Sequence, residues 1–206
     1  MDERIDDATS KEMLDCIFDR HSIREVLSKW TFSRDGMDWI ALGDCFHVGA
    51  SIHISWYSGP FEGFIEASRA MGPTKHINGD SIQSIQPKRA VSDCNATILA
   101  RAKCFSAELD LTCHLRFLDW FERRQGRWGI VKRQAIYEKD RLNLVKPSIL
   151  GRCLLRWMPL KRYPDACRHL CFAMETRGYR ISSDIVTASS DEEKALYDAS
   201  SQWLAE

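Results

Sequence analysis

The segment Leu109-Asp-Leu-Thr-Cys-His-Leu-Arg-Phe117 alternates apolar and polar residues at every position. Successive side chains of a β-strand point to opposite faces of a sheet, so an alternating segment has one apolar face and one polar face. The apolar face of this segment consists of Leu109, Leu111, Cys113, Leu115 and Phe117. The segment therefore predicts a strand that covers a hydrophobic core on one side only.

The same period of two extends to both sides of this segment. It predicts four strands, over residues 76–85, 90–101, 109–123 and 127–138. Gln125-Gly126 is typical of a tight turn between the last two strands. Because the connections between these strands are short, we expect antiparallel pairing.

Upstream of the strands, apolar residues recur at helical spacing. We predict a short helix around residues 13–18 and a second helix that starts at Ser22-Ile-Arg-Glu25, which has the form of a capping box, and is interrupted by Gly36. A short helix over 39–46, a strand over 50–57 and a helix over 61–71 follow. Helices followed by an antiparallel sheet predict an α+β fold.

The last third of the chain has a different pattern. Residues 140–160 show no clear period, a helix is predicted near 163–176, and Ser190-Asp-Glu-Glu193 is a capping box that opens a final helix. About 65 residues supply little hydrophobic core by themselves. We therefore expect a tail over 1–11, an α+β domain over 12–142, and a helical extension over 143–206 that packs on this domain.

The composition excludes several classes of protein. Of the 206 residues, 29 are basic and 29 acidic, so the basic excess of a nucleic-acid-binding protein is absent. No apolar run approaches a membrane span, and the acidic start of the chain is unlike a signal peptide, so we expect a cytoplasmic protein. The eight cysteines contain no C-x-x-C and are expected to be buried free thiols.

Familiar phosphate-binding, nucleophile and zinc motifs are missing, so we predict neither a cofactor nor a metal. His47 and His53 have no supporting carboxylate pattern and are interpreted as surface or loop histidines. Asp38 directly precedes a helix and suits an N-cap, which leaves Asp35 without a structural explanation. His76 opens the first long strand, where a histidine is more often structural than catalytic.

Several motifs together resemble one family. They are W-x4-D-x2-D-W at 30–39, Cys45-Phe46 with Ala50, T-K-H at 74–76, W-F-E-R-R-Q-G-R-W at 120–128 and R-Q-A-I-Y-E-K-D-R-L at 133–142. In this order they resemble the SnoaL-like family of the nuclear transport factor 2 superfamily, which includes scytalone dehydratase, bile-acid dehydratase and hexachlorocyclohexane dehydrochlorinase. The resemblance implies a cone-shaped fold, with a curved antiparallel sheet wrapped around N-terminal helices and enclosing an apolar pocket.

The resemblance also implies a catalytic dyad at Asp35 and His76. Asp35 would orient His76 and raise its pKa, and neutral His76 would act as general base without a cofactor. The tyrosine that precedes the aspartate in relatives is replaced by Trp30, so Tyr57 is the candidate hydroxyl. Arg101 falls where scytalone dehydratase has a second histidine, either as an oxyanion partner or as a solvent-facing arginine.

Candidate substrate-binding residues follow from the same comparison. They are Trp30, Trp56, Phe61, Leu115, Phe117 and Arg141. Leu115 and Phe117 fall where scytalone dehydratase has polar pocket residues, which implies a more apolar pocket and a different substrate. Arg141 is a candidate for the pocket rim, although an ion-paired structural role is the favoured alternative.

The resemblance implies a lyase that eliminates water, halide or a carbonyl fragment from a hydrophobic, ring-containing small molecule, with dehydration placed first. Two alternatives remain open: an isomerase that uses the same dyad, and a non-catalytic ligand-binding or scaffold subunit like the small subunit of a dioxygenase. A homodimer or homotrimer is expected, because the open face of the sheet needs a cover.

Overall fold

The computed structural model describes residues 7–104 and 107–206 and contains helices packed on a single sheet. The helices are α1 (Asp7–Asp35), α2 (Trp39–Gly43), α3 (Phe61–Arg69), α4 (Ile149–Trp157), α5 (Arg168–Glu175) and α6 (Asp191–Ala205), with a 3-10 turn at Leu160–Arg162. The strands are β1 (Phe46–Ile54), β2 (Tyr57–Pro60), β3 (Thr74–Ile85), β4 (Arg89–Cys104), β5 (Ala107–Arg124), β6 (Arg127–Leu144) and β7 (Val186–Thr187). The predicted α+β class is confirmed.

The sheet has the strand order β2-β1-β6-β5-β4-β3, and β7 pairs with β6 beyond the segment that β1 covers. Strands β3 to β6 pair antiparallel in sequence order, as predicted. The turn at Gln125 and Gly126 is confirmed by backbone φ angles of 51° and 78°. Outside these four strands the pairing is mixed: β1 and β7 both run parallel to β6.

Bulges bend the long strands. Between β5 and β6, Trp120 pairs with Lys132 but the next residue, Phe121, pairs with Ile130. A second shift of the same kind follows between His114 and Leu115. Each bulge places an extra residue on one strand, which increases the local bend and twist. The bulges therefore curve the sheet around the helices on its inner face.

Helix α1 is longer than predicted. The two helices expected over 13–35 form one continuous helix, because the Ser22 hydroxyl donates to the Phe18 carbonyl (2.8 Å) instead of capping a new helix. Residues 7–11, predicted as tail, belong to this helix, and residues 1–6 lie outside the described part of the chain. Asp38 caps α2 as predicted, since its Oδ1 accepts from the Ala41 amide (3.0 Å).

The predicted extension is built into the domain. Strand β6 continues to Leu144, past the expected boundary at 142, and β7 adds a segment of the extension to the sheet. Helix α5 packs against β6 on the inner face. Helix α6 covers part of the outer face, where it contacts a cluster formed by Val91, Leu118, Trp120, Ile136 and Val186. Residues 143–206 therefore complete both hydrophobic layers of the fold.

The cysteines are free thiols in the described part of the chain. Five of them are buried, namely Cys45, Cys94, Cys113, Cys167 and Cys171. Cys16 and Cys153 are exposed, which corrects the expectation for these two, and the side chain of Cys104 lies outside the described residues. Burial raises the pKa of Cys45 and of Cys94 to about 11, which is typical of inert structural thiols.

Among the described helices, none is long and apolar enough to cross a membrane.

Candidate active site

Asp35 and His76 form a hydrogen-bonded pair at the junction of α1 and β3. The ring Nδ1 of His76 lies 2.6 Å from Asp35 Oδ1, and the backbone amide of His76 donates to Asp35 Oδ2 (2.9 Å). The carboxylate thus holds both the ring and the backbone of His76. An aspartate that accepts from Nδ1–H leaves the lone pair on Nε2, which is the form a general base needs.

Two secondary-structure ends bring these residues together. Asp35 is the last residue of α1, and His76 lies two residues into β3. The chain turns directly after α1, because Met37 adopts a left-handed backbone conformation and the Asp38 amide donates back to the Ser33 carbonyl (2.9 Å). Lys75 also approaches Asp35 Oδ2 (3.4 Å) from the solvent side. The ring of Trp30, one turn before Asp35, lies edge-on to the His76 ring at 5.3 Å.

The environment keeps His76 neutral. Burial lowers the pKa of His76 more than the Asp35 hydrogen bond and charge raise it, and the charges of Arg34 and Arg133 lower it further. Pairing with Asp35 does raise this pKa, as expected, but the net shift is downward, because the cost of desolvating the charged ring is the largest contribution. Burial alone would raise the pKa of Asp35, but hydrogen bonds from the His76 ring, the His76 amide and Lys75 bring it below its ordinary value. The pair is therefore a carboxylate and a neutral imidazole.

His76 lines an apolar cavity between the inner face of the sheet and the helices. The cavity volume is ≈ 60 Å³, which is more than a single water molecule needs. The apolar part of the wall includes Trp30, Ile52, Trp56, Phe64, Ile98, Leu111, Leu115, Phe117, Leu170 and Met174. An apolar wall with few polar groups is typical of small-molecule sites.

A buried ion pair forms one side of this cavity. The Arg133 guanidinium donates to both carboxylate oxygens of Asp119 (2.7 Å each), and both side chains are almost fully buried. Its carbon Cζ lies 4.1 Å from the ring centroid of Trp30. The Nη1 atom of Arg133 is buried and has no hydrogen-bond acceptor among the described residues.

The predicted site residues fall into two groups. His76, Trp30, Trp56, Leu115 and Phe117 line the cavity, and Asp35 contacts it through His76. The second group, Tyr57, Phe61, Arg101 and Arg141, does not line it.

Local contacts explain three members of the second group. The Tyr57 hydroxyl donates to the Pro60 carbonyl (2.6 Å), so it stabilises the β2 turn rather than facing His76. Phe61 stacks on Phe46 with centroids 5.0 Å apart. Arg101 forms a bidentate ion pair with Asp110 on the exposed face of the sheet (2.7 and 2.8 Å). We therefore remove Tyr57 and Arg101 from the candidate catalytic groups, and Phe61 and Arg141 from the candidate pocket residues.

The two buried arginines of the cavity, Arg34 and Arg133, were missed by the sequence analysis. Arg34 continues the apolar stripe of α1, because it lies four residues after Trp30, and this spacing was a usable signal. The sequence pattern did not indicate that Arg133 faces the cavity. If side chains alternated strictly after Ile130, which faces inward, Arg133 would lie on the outer face of the sheet. The bulge beside Ile130 reverses this alternation and turns Arg133 into the cavity.

The arrangement suits proton abstraction in an apolar cavity. His76 provides a neutral base, Asp35 stabilises its protonated form, and Arg133 offers a donor for a group that gains negative charge. In the described residues, no cluster of three histidine, cysteine or acidic side chains could hold a metal ion.

Comparison with known proteins gives relatives along most of the chain. A PEP2-like protein of Fusarium vanettenii is 30% identical over 205 residues, covering 91% of this chain and 86% of its own length. Pea pathogenicity protein 2 of the same fungus is 29% identical, covering 90% of this chain and 85% of its own. Both matches include most of the C-terminal third that completes the cavity wall.

Solved structures share the fold at low identity. A type 2 hexachlorocyclohexane dehydrochlorinase (LinA) superposes with a TM-score of 0.56 at 16% identity, covering 66% of this chain and 94% of its own. A candidate scytalone dehydratase from Novosphingobium aromaticivorans gives 0.52 at 12% identity, covering 64% and 92%.

The family of SnoaL-like domains matches residues 17–134, which contain Asp35, His76, Asp119 and Arg133. This match spans more than half of the sequence. The chain is therefore a member of the SnoaL-like family, with the fold of the nuclear transport factor 2 superfamily.

Proposed function

We propose that this protein is a cofactor-independent lyase that catalyses a dehydratase-like elimination on a hydrophobic, ring-containing small molecule. The observation that carries the proposal is the neutral His76, hydrogen-bonded to Asp35 through Nδ1 and placed at the wall of an apolar cavity. A binding or scaffold module has no evident use for a buried acid–base pair at this position. The two solved structures that share this fold are a dehydrochlorinase and a candidate dehydratase, which agrees with this class.

In the proposed reaction, Nε2 of His76 removes a proton from a ring carbon. The electron pair of that C–H bond forms the new C=C bond, and the adjacent carbon loses hydroxide or halide with its bonding pair. Asp35 stabilises the imidazolium that forms. The protonated His76 then returns its proton to the departing hydroxide as water, or to solvent when halide leaves.

Arg133 is the proposed stabiliser of the leaving group. Its Nη1 lacks an acceptor among the described residues, and a leaving oxygen or halide placed against it would supply one. Because Arg133 is fixed by Asp119 and by the rings of Trp30 and Phe117, little reorganisation is needed when the charge develops.

The test is a screen of cyclic alcohols and halides, followed by the absorbance of the new double bond. We expect His76→Gln to lower kcat/KM by about 10²–10⁴-fold, the usual contribution of a general base. His169→Gln is the matched control: His169 Nδ1 lies 2.7 Å from Asp140 and the next amide also binds that carboxylate, but His169 does not line the cavity. Turnover that survives His76→Gln, or equal losses in both variants, would contradict the proposal.

A further inference from the structure

Three arginines line a cavity whose wall is otherwise apolar. Arg34 and Arg133 are 3% and 1% exposed, whereas Arg177 is an exposed residue just beyond α5. Arginine remains protonated at any physiological pH, so each contributes a full positive charge. Such charges in an apolar wall require partners, because an unpaired buried charge is costly.

The carboxylates near the cavity are already committed to other groups. Asp119 binds Arg133 through both oxygens, and Asp35 binds His76 and Lys75. Because His76 is neutral, the negative charge of Asp119 is balanced by Arg133, and that of Asp35 is balanced by Lys75. Arg34 keeps its positive charge, and no carboxylate in the described residues forms an ion pair with it.

The contacts of Arg34 are weak for a buried cation. Its Nη2 lies 3.2 Å from the thioether sulfur of Met71, which is a weak acceptor, and its Cζ lies 5.7 Å from the ring centroid of Trp39. Its place in the last turn of α1 gives a favourable interaction with the helix dipole. A flexible, solvated side chain at that position would obtain the same benefit, so the dipole does not explain why the guanidinium is buried beside a cavity.

We propose that the ligand of this cavity is a hydrophobic ring compound that carries one carboxylate, and that Arg34 binds this carboxylate. The proposal rests on the proposed function in one respect: the acid would occupy the same cavity as the substrate of the lyase. A single negative charge matches the one buried positive charge that has no ion-pair partner, since Arg177 is exposed to solvent. A guanidinium also binds a carboxylate through two parallel hydrogen bonds, which fixes the ring relative to His76.

Matched pairs of probes test this assignment. Benzoate with benzamide, and 2-naphthoate with 2-naphthamide, have nearly the same shape within each pair and differ in charge. Affinities measured by calorimetry should show the acid binding at least about tenfold more tightly than the amide in each pair that fits. Arg34→Met should remove this preference, and Arg34→Lys should keep only part of it.

The ratio of acid to amide affinity is the decisive quantity. If a variant is partly unfolded, both apparent affinities fall by the same factor, so the ratio does not change. Arg177→Gln is the control, since Arg177 lines the same cavity but is exposed, and it should change the ratio less than about threefold. Equal affinity for acid and amide in the native chain, a preference that survives Arg34→Met, or no binding of either acid would overturn the proposal.

The variant His76→Gln separates this inference from the proposed function. It should lose turnover and keep the preference for the acid, because Arg34 is unchanged. A native protein that prefers the acid but turns over no substrate would contradict only the lyase. A lyase that binds acid and amide equally would contradict only the role of Arg34.

Discussion

His76 must be neutral to accept a proton, so its pKa decides the pH at which the proposed site works. Burial lowers this pKa below the ordinary value of 6.5. We therefore expect kcat/KM to rise with pH through a midpoint below 6.5 and to be constant at neutral pH. A pH–rate profile measures this midpoint directly.

Asp35→Asn should move the same midpoint to lower pH. The Asp35 hydrogen bond and charge are the contributions that raise the His76 pKa, so their loss leaves burial and the two arginines unopposed. A midpoint that moves to higher pH, or a native midpoint above 6.5, would show that another group controls the profile.

Two ion pairs with the same geometry but different burial permit a test of stability. Arg133–Asp119 and Arg101–Asp110 are both bidentate and both join directly paired residues of neighbouring strands. The first is fully buried and the second is exposed. Asp119→Asn should lower the free energy of unfolding by about 3–5 kcal/mol, because it leaves the Arg133 charge buried without a partner.

Asp110→Asn is the matched control and should change the free energy of unfolding far less, because water solvates the Arg101 charge. Urea denaturation of both variants provides the comparison. Similar losses in the two variants would mean that the burial of Arg133 does not determine its dependence on Asp119.

Among the secondary-structure elements of residues 143–206, helix α5 is the one that closes the inner cavity. Leu170, Ala173 and Met174 of this helix line the cavity, and Met174 is 5% exposed. We expect Met174→Ala to cost about 2–3 kcal/mol of stability and to admit larger ring compounds, because it enlarges an existing cavity. Leu150→Ala in α4, at a residue 66% exposed, should change neither property.

Denaturation curves and the affinities of the benzoate and naphthoate probes measure these two effects. If Met174→Ala destabilised the fold but left the relative affinity for the larger probe unchanged, α5 would be a structural support and not a wall of the binding site.

At the scale of the whole molecule, α6 already covers part of the outer face of the sheet, through contacts such as the Arg89 guanidinium against the Trp203 ring (4.9 Å). We expected a homodimer or homotrimer because this face needs a cover. Since α6 supplies part of that cover, the face gives less reason to expect association. Another apolar surface remains exposed on the first turns of α1, formed by Met13, Leu14, Ile17 and Phe18. Contiguous apolar surface of this kind is typical of association sites.

We expect sedimentation to give the mass of two or three chains, associated through this surface of α1. Phe18→Glu should then give the mass of one chain, since it would place a charge in the contact. Ile40→Glu, at an exposed apolar residue of α2, should leave the mass unchanged. A single-chain mass for the native protein would contradict the expectation.

Local periodicity predicted much of this molecule from sequence. The alternation over 109–117 and its neighbours located four strands, the Gln125-Gly126 turn and the Asp38 cap, because these features depend on contacts between residues close in the chain. Asp35 was singled out because Asp38 already explains the helix cap, but its pairing with His76 and their catalytic role were predicted only through resemblance to a family.

The remaining features depend on packing between distant segments, and only the tertiary structure decided them. The β6 bulge turns Arg133 inward, β1 and β7 join β6 in parallel, and α5 closes the cavity. The neutrality of His76 has the same origin, because desolvation by the whole surrounding core outweighs its single hydrogen-bonded partner. Sequence alone determined the four long strands and the helices that have a clear apolar period; the register and burial created by folding determined which charges meet inside.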